Sequence, residues 1–178
     1  MKISDQVSTK RLFFALWPDE EVVRKIKQHA IKYFSGCQGK ILSKDNWHIT
    51  LAYLGSSDDK TQTCIEEQAA KIKAQPFELS LSTCGFWKKP AVAWLAPLDV
   101  PEELRQLALD IQHKLIRCEY KPEDSDYKPH VTLVRKAKQL PSINEIQPIS
   151  WLVNKFCLVE SKTEPEGVNY IVLKTWEF

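Results

Sequence analysis

Two of the chain's four histidines are followed, two residues on, by a threonine and then a leucine: His48-Ile49-Thr50-Leu51 and His130-Val131-Thr132-Leu133. An unperturbed imidazole titrates near pH 6.5, so of two around one site, one can take a proton while the other gives one. That supplies a general base and a general acid without a metal. The base would deprotonate water, and the acid would protonate a leaving oxygen. Two threonine hydroxyls can donate to non-bridging oxygens where charge gathers. Arg135 adds a planar fork suited to phosphate. The set fits in-line displacement at phosphorus better than acyl transfer, because no Ser or Cys nucleophile stands beside either histidine. A lone His-x-Thr reads as a strand histidine beside a threonine chosen for β-propensity. Two copies, with 4 histidines and 8 threonines in 178 residues, arise by chance only roughly once in a hundred such chains.

Strands must present these residues. Asn46 to Gly55 alternates, placing His48, Thr50 and Ala52 on one face and Ile49, Leu51 and Tyr53 on the other. Pro129 to Arg135 repeats the pattern, with Val131 and Leu133 turned inward. Around them the chain reads β-α-β-α-β-β-α-β-β-β. Residues Met1 to about Thr9 form a loose leader, and Arg11 to Trp17 a strand in which Phe13 and Phe14 face opposite ways. Pro18-Asp19-Glu20-Glu21 starts a helix whose stripe is Val22, Val23, Ile26, Ala30, Ile31 and Phe34, with His29 on its surface. A second helix runs from about Lys60 to Ala74, stopped by Pro76. Phe77 to Ser82 and Ala91 to Ala96 make a hairpin with Lys88 and Lys89 at its tip. A third helix follows Pro101, buried through Leu104, Leu107, Ile111 and Leu115, with His113 exposed. Lys121 to Lys128 is a polar loop leading to the second motif, where Tyr127 and Lys128 are candidate substrate contacts. Leu140 to Pro148 is a linker. A strand from Trp151 to Leu158 is irregular near Asn154-Lys155. After a turn at Glu164-Pro165-Glu166-Gly167 comes a closing strand, Val168 to Phe178.

With one motif strand in each half, the expected architecture is α+β. We expect a single bilobal domain spanning 1–178, two antiparallel β-sheets with helices on their outer faces, and a central active-site cleft. The 43% hydrophobic and 27% charged content is that of a soluble globular protein. A net charge of +2 is too small for a surface that coats nucleic acid. No apolar run reaches membrane-span length, and no targeting segment is evident, so a cytoplasmic monomer with no membrane partner is expected. The five cysteines are odd in number and lack a C-x-x-C pair. They read as reduced thiols, and no Cys/His spacing fits zinc.

The paired motifs resemble those of the two-histidine (2H) phosphoesterases. Arg11 to Pro18, Asn46 to Gly55, Gly85-Phe86 to Trp94-Leu95 and Pro129 to Arg135 resemble, in order, the bacterial and archaeal RNA 2′,3′-cyclic phosphodiesterases, also called the 2′-5′ RNA ligase family. The resemblance runs from about Arg11 to Phe178. It implies hydrolysis of RNA 2′,3′-cyclic phosphate ends, tRNA-like fragments included, to 2′-phosphomonoesters. It also allows the reverse joining through a 2′-5′ bond, and it needs no cofactor and no metal. His48 maps to the proton donor, His130 to the proton acceptor, Thr50 and Thr132 to the phosphate-holding hydroxyls, and Arg135 to the substrate-binding arginine. The residues themselves do not distinguish acid from base. One departure is visible: many relatives carry a basic residue after the proline of the loop before the Val-x-Trp strand, and here Pro90 is followed by Ala91. Two other readings stay open. One is a 2H enzyme acting on small cyclic nucleotides. The other is an RNA-end binding module without turnover, against which the intact His and Thr pairs argue.

Overall fold

The computed structural model describes residues 8–122, 126–143, 145–165 and 167–178. Most of the expected leader therefore lies outside the described residues, as do parts of the polar loop, the linker and the Glu164–Gly167 turn. Asp19 caps α1 (Glu20–Phe34) by accepting the Val22 N–H at 2.9 Å, and Asp58 caps α2 (Asp59–Ala69) by accepting the Thr61 N–H at 2.7 Å. α2 ends five residues earlier than its pattern suggests, closing in turns such as Ile72 N–H to Ala69 O. α3 (Glu102–Leu115) buries the four residues expected of it, and His113 is exposed.

The strands are β1 (Lys10–Leu16), β2 (Lys40–Ile41), β3 (Ile49–Ser57), β4 (Phe77–Leu81), β5 (Thr83–Trp87), β6 (Val92–Ala96), β7 (Val131–Arg135), β8 (Ile149–Val153), β9 (Lys155–Glu164) and β10 (Gly167–Glu177). The main sheet runs β10-β9-β1-β3-β7-β6-β5, with β2 beside β7, and its pairings among the described residues are antiparallel. Its halves join between β3 and β7 at one register pair, Ile49 with Val131. The α+β class and the antiparallel sheets packed on helices are as expected, in a single domain. The hairpin partner of β6 is β5, not the Phe77 strand. β4 instead pairs with β8 in a two-stranded ladder. The irregularity near Asn154 is a full break, and Asn154 O accepts from Phe178 N–H.

Leu12, Phe14, Ile49, Leu51, Val131 and Leu133 pack against the helical residues Val22, Ile26, Phe34, Leu104 and Ile111. The opposite face of β1 and β9 carries a small second cluster, Phe13, Ala15, Cys157 and Val159, flanked by Trp17 and Tyr170. His29 is buried, contrary to expectation: at i+3 from Ile26 it falls on the apolar stripe. Its Nδ1 meets Lys25 O at 2.9 Å and its Nε2 meets Gln147 O at 2.6 Å. Ile31, placed in that stripe by sequence, is exposed instead. The cysteines also depart from expectation. Cys64 and Cys118 form a disulfide tying α2 to the 3-10 turn Ile116–Cys118, while Cys37, Cys84 and Cys157 are free. A pairing across 54 residues leaves no spacing signal in the sequence.

Candidate active site

The register pair at the junction of the sheet sets the geometry. Ile49 and Val131 are fully buried in the core, so the residues on either side of each turn to the opposite face. In an antiparallel pair, His48 then lies abreast of Thr132 and Thr50 abreast of His130. The two histidines become diagonal neighbours, with Cα atoms about 7–8 Å apart. All four side chains are half-buried.

Both imidazoles are held the same way. His48 Nδ1 lies 2.9 Å from Asn46 O, and His130 Nδ1 lies 2.8 Å from Lys128 O. A carbonyl only accepts, so each Nδ1 carries its hydrogen, and each Nε2 is left with a lone pair able to take up a proton. Neither threonine hydroxyl is hydrogen-bonded to another described residue.

A β-bulge at the leucine of each motif shapes the rest. The β1–β3 register skips Leu51, and the β6–β7 register skips Leu133. Each bulge sends two successive residues inward, Leu51-Ala52 and Leu133-Val134, and reverses the alternation after them. Tyr53, expected on the core face, therefore emerges with Thr50, and Arg135 emerges with Thr132. The free carbonyl of Leu133 is taken by Leu42 N–H at 2.8 Å.

The walls differ. His48 is stacked parallel on Trp17 (5.4 Å, 2°) and touches Phe13 (5.0 Å) and the edge of Tyr170 (5.0 Å, 81°). His130 meets Trp87 edge-on at 4.6 Å. Trp87 in turn packs on Trp94, and a Cβ at Gly85 would collide with the Trp94 indole. Burial pushes the His48 imidazole down to about 4, against the pull of its Asn46 bond, with His130 and Arg135 adding to the depression. Burial lowers His130 too, opposed by the Lys128 carbonyl and helped by Arg135. In the free protein both rings are thus neutral at pH 7.

A groove of about 790 Å³ crosses this face. Its floor includes His48, Thr50, Phe13 and Tyr170. Arg11 and Tyr53 line one end, beside the β9–β10 tip; Lys40, Arg135 and Lys136 line the other. The Tyr53 hydroxyl accepts from Arg11 Nε (3.0 Å) and Nη2 (2.8 Å). His130 opens into an adjoining recess with Thr50, Tyr53, Tyr127 and Lys128. There the Tyr127 hydroxyl donates to Thr50 O at 3.2 Å, and burial pushes its acidity far down. Tyr127 therefore braces β3, with its hydroxyl engaged by the strand backbone. Lys88 and Lys89 do not line the groove. Among the described residues, no three of His, Cys, Asp and Glu gather as metal ligands, and no helix is long and apolar enough to cross a membrane.

The 2′-5′ RNA ligase superfamily model matches residues 17–165, most of the chain. The chain belongs to the 2′-5′ RNA ligase superfamily. Within that superfamily it is similar to the RNA 2′,3′-cyclic phosphodiesterase of Archaeoglobus fulgidus, 30% identical and covering 94% of this chain and 99% of the relative. It is also similar to the enzyme of that name from Escherichia coli (strain K12), 29% identical over 94% and 96%. The crystal structure of E. coli LigT complexed with 3′-AMP superposes with a TM-score of 0.88, at 29% identity over 96% of this chain and 99% of that one.

Sequence reading singled out the four motif residues and Arg135, and the fold brings them to one face of the sheet. It did not point to Trp17, Tyr170 and Trp87, whose rings pack on the two imidazoles. Trp17 carried a signal, since residues 13, 15 and 17 of β1 share a face by alternation. Tyr170 and Trp87 arrive from distant strands and carried none.

Proposed function

We infer that the protein hydrolyses RNA 2′,3′-cyclic phosphate ends to 2′-phosphomonoesters by metal-independent acid–base catalysis. Water attacks phosphorus in line with the 3′ oxygen. His130 Nε2 takes the proton from water, and His48 Nε2–H gives one to the departing 3′ oxygen. The P–O3′ bond breaks, leaving a 2′-phosphate and a free 3′-hydroxyl. Thr50, Thr132 and Arg135 hold the non-bridging oxygens. With an RNA 5′-hydroxyl in place of the attacking water, the same steps form a P–O5′ bond as the P–O3′ bond breaks, and give a 2′-5′ linkage with a free 3′-hydroxyl.

The observation that carries this reading is the single β3–β7 register pair, which sets two His-x-Thr units on one face with both Nδ1 atoms fixed by carbonyls. The assignment of donor and acceptor follows the family resemblance. His48, as donor, is neutral in the free protein and acquires its proton with the anionic substrate, whose charge opposes the depression caused by burial and Arg135. An RNA oligomer ending in a 2′,3′-cyclic phosphate tests the reading when incubated with the protein in EDTA. A 2′-phosphate product is expected. Loss of turnover in EDTA overturns the metal-free mechanism, and binding without product overturns the hydrolase.

A further inference from the structure

The β7 end of the groove holds more positive charge than the reacting phosphate requires. Lys40 on β2 sits directly opposite Arg135 on β7, so two cations occupy one cross-strand pair, an arrangement that destabilises a sheet. Lys136 follows with φ at +53°, a left-handed conformation unfavourable for a side chain of its kind. All three line the groove. The ion pairs among the described residues engage Lys10, Lys25 and Lys174 and leave these three without a carboxylate. The acid that lines the groove, Glu164, lies on β9 across the central strands and accepts a hydrogen bond from Asn169. Repulsion and backbone strain kept together at one end of an open groove call for an anion there.

That anion is separate from the one under attack. Thr132 and Arg135 are three residues apart on β7, about 10 Å along an extended strand. Arg135 can lean back to the motif threonines, whereas Lys40 and Lys136 stand at the far flank. We propose that Lys40 and Lys136 form a second phosphate subsite, which holds the internucleotide phosphate 5′ to the terminal nucleotide. The preferred substrate is then a cyclic-phosphate-ended strand of two or more nucleotides, not a cyclic mononucleotide. This rests on the hydrolase reading above.

The test compares two dinucleotides that end in a 2′,3′-cyclic phosphate, one with an ordinary internucleotide phosphate and one with a neutral methylphosphonate in its place. The wild-type protein is expected to favour the charged substrate in kcat/KM by about tenfold or more, the worth of a charge-assisted contact. The K40Q/K136Q variant should lose that preference while turning over the methylphosphonate substrate within about twofold of wild type. Its rate on the charged substrate should also fall less steeply with added salt than that of the wild-type protein. Equal wild-type rates on the two substrates overturn the subsite, as does a variant that slows both alike. If the wild-type protein turns over neither, the hydrolase reading fails. The subsite is then judged by fluorescence anisotropy with the same two ligands, where the charged one must bind more tightly and lose that advantage in the variant.

Discussion

The β3 and β7 motif strands share a backbone and differ in what surrounds it. Each carries His-x-Thr-Leu, each bonds its imidazole Nδ1 to the carbonyl two residues back, and each bulges at the leucine. Five residues after the histidine, β3 presents Tyr53 and β7 presents Arg135. His48 lies among Phe13, Trp17 and Tyr170, and His130 against Trp87 with Arg135 and two lysines beyond. Repeated main-chain geometry holds two imidazoles in the same tautomer on one face of the sheet. The unlike walls then make one half aromatic and the other cationic. The first suits a nucleoside and the second suits phosphate.

The comparison breaks most plainly if either histidine is dispensable. His48→Ala and His130→Ala should each lower single-turnover hydrolysis of a cyclic-phosphate RNA by about 10²–10⁴-fold with circular dichroism unchanged. A well-folded variant with a near-normal rate ends the paired assignment. Thr50→Ala and Thr132→Ala should each remove a hydrogen bond to a charged oxygen, worth about 1.5–3 kcal/mol, and to similar extents. A large imbalance in rate between these two variants would show that one strand alone holds the phosphate.

Titration sharpens the contrast. Both imidazoles sit below their ordinary value in the free protein, and a bound anion opposes that. Binding of sulfate, whose charge is fixed across the range, should take up protons near pH 6 and weaken as pH rises. Calorimetry in buffers of different ionisation enthalpy measures this. Because the folded His48 holds its proton less readily than an unfolded one, its contribution to stability is present above about pH 6.5 and lost as pH falls towards about 4. Denaturant melts of His48→Gln should be flatter over that window. Arg135→Gln should raise both imidazoles, visible by NMR titration of their ring protons. The smallest effect is expected from Tyr53→Phe, which gives up the Arg11 bonds and should cost about 0.5–1.5 kcal/mol in substrate binding.

The motif residues were legible because period-two alternation needs only neighbours in the chain: Ile49 and Val131 point inward, so His48 and His130 cannot. The α+β class followed from the order of periodic segments. Tyr53 was assigned to the wrong face because a bulge is a property of two strands, and its signal is the register with β1, which no single strand contains. The partner of β4, the burial of His29 against Gln147 and the Cys64–Cys118 bond were hidden for the same reason, each resting on a contact between distant segments. Lys40 carried no signal, because its place opposite Arg135 comes from the pairing of β2 with β7.

The carbonyls behind the two imidazoles have one more effect. A peptide oxygen accepts a hydrogen bond but does not carry a proton onward, so neither ring has a relay through the protein interior. In the proposed mechanism, each hydrolysis leaves the ring of β7 charged and the ring of β3 discharged, the opposite of the starting arrangement. The catalyst can be reset only across the mouth of the groove, through solvent or the departing product. At high substrate, the exchange of that one proton with buffer becomes a step that can govern the cycle.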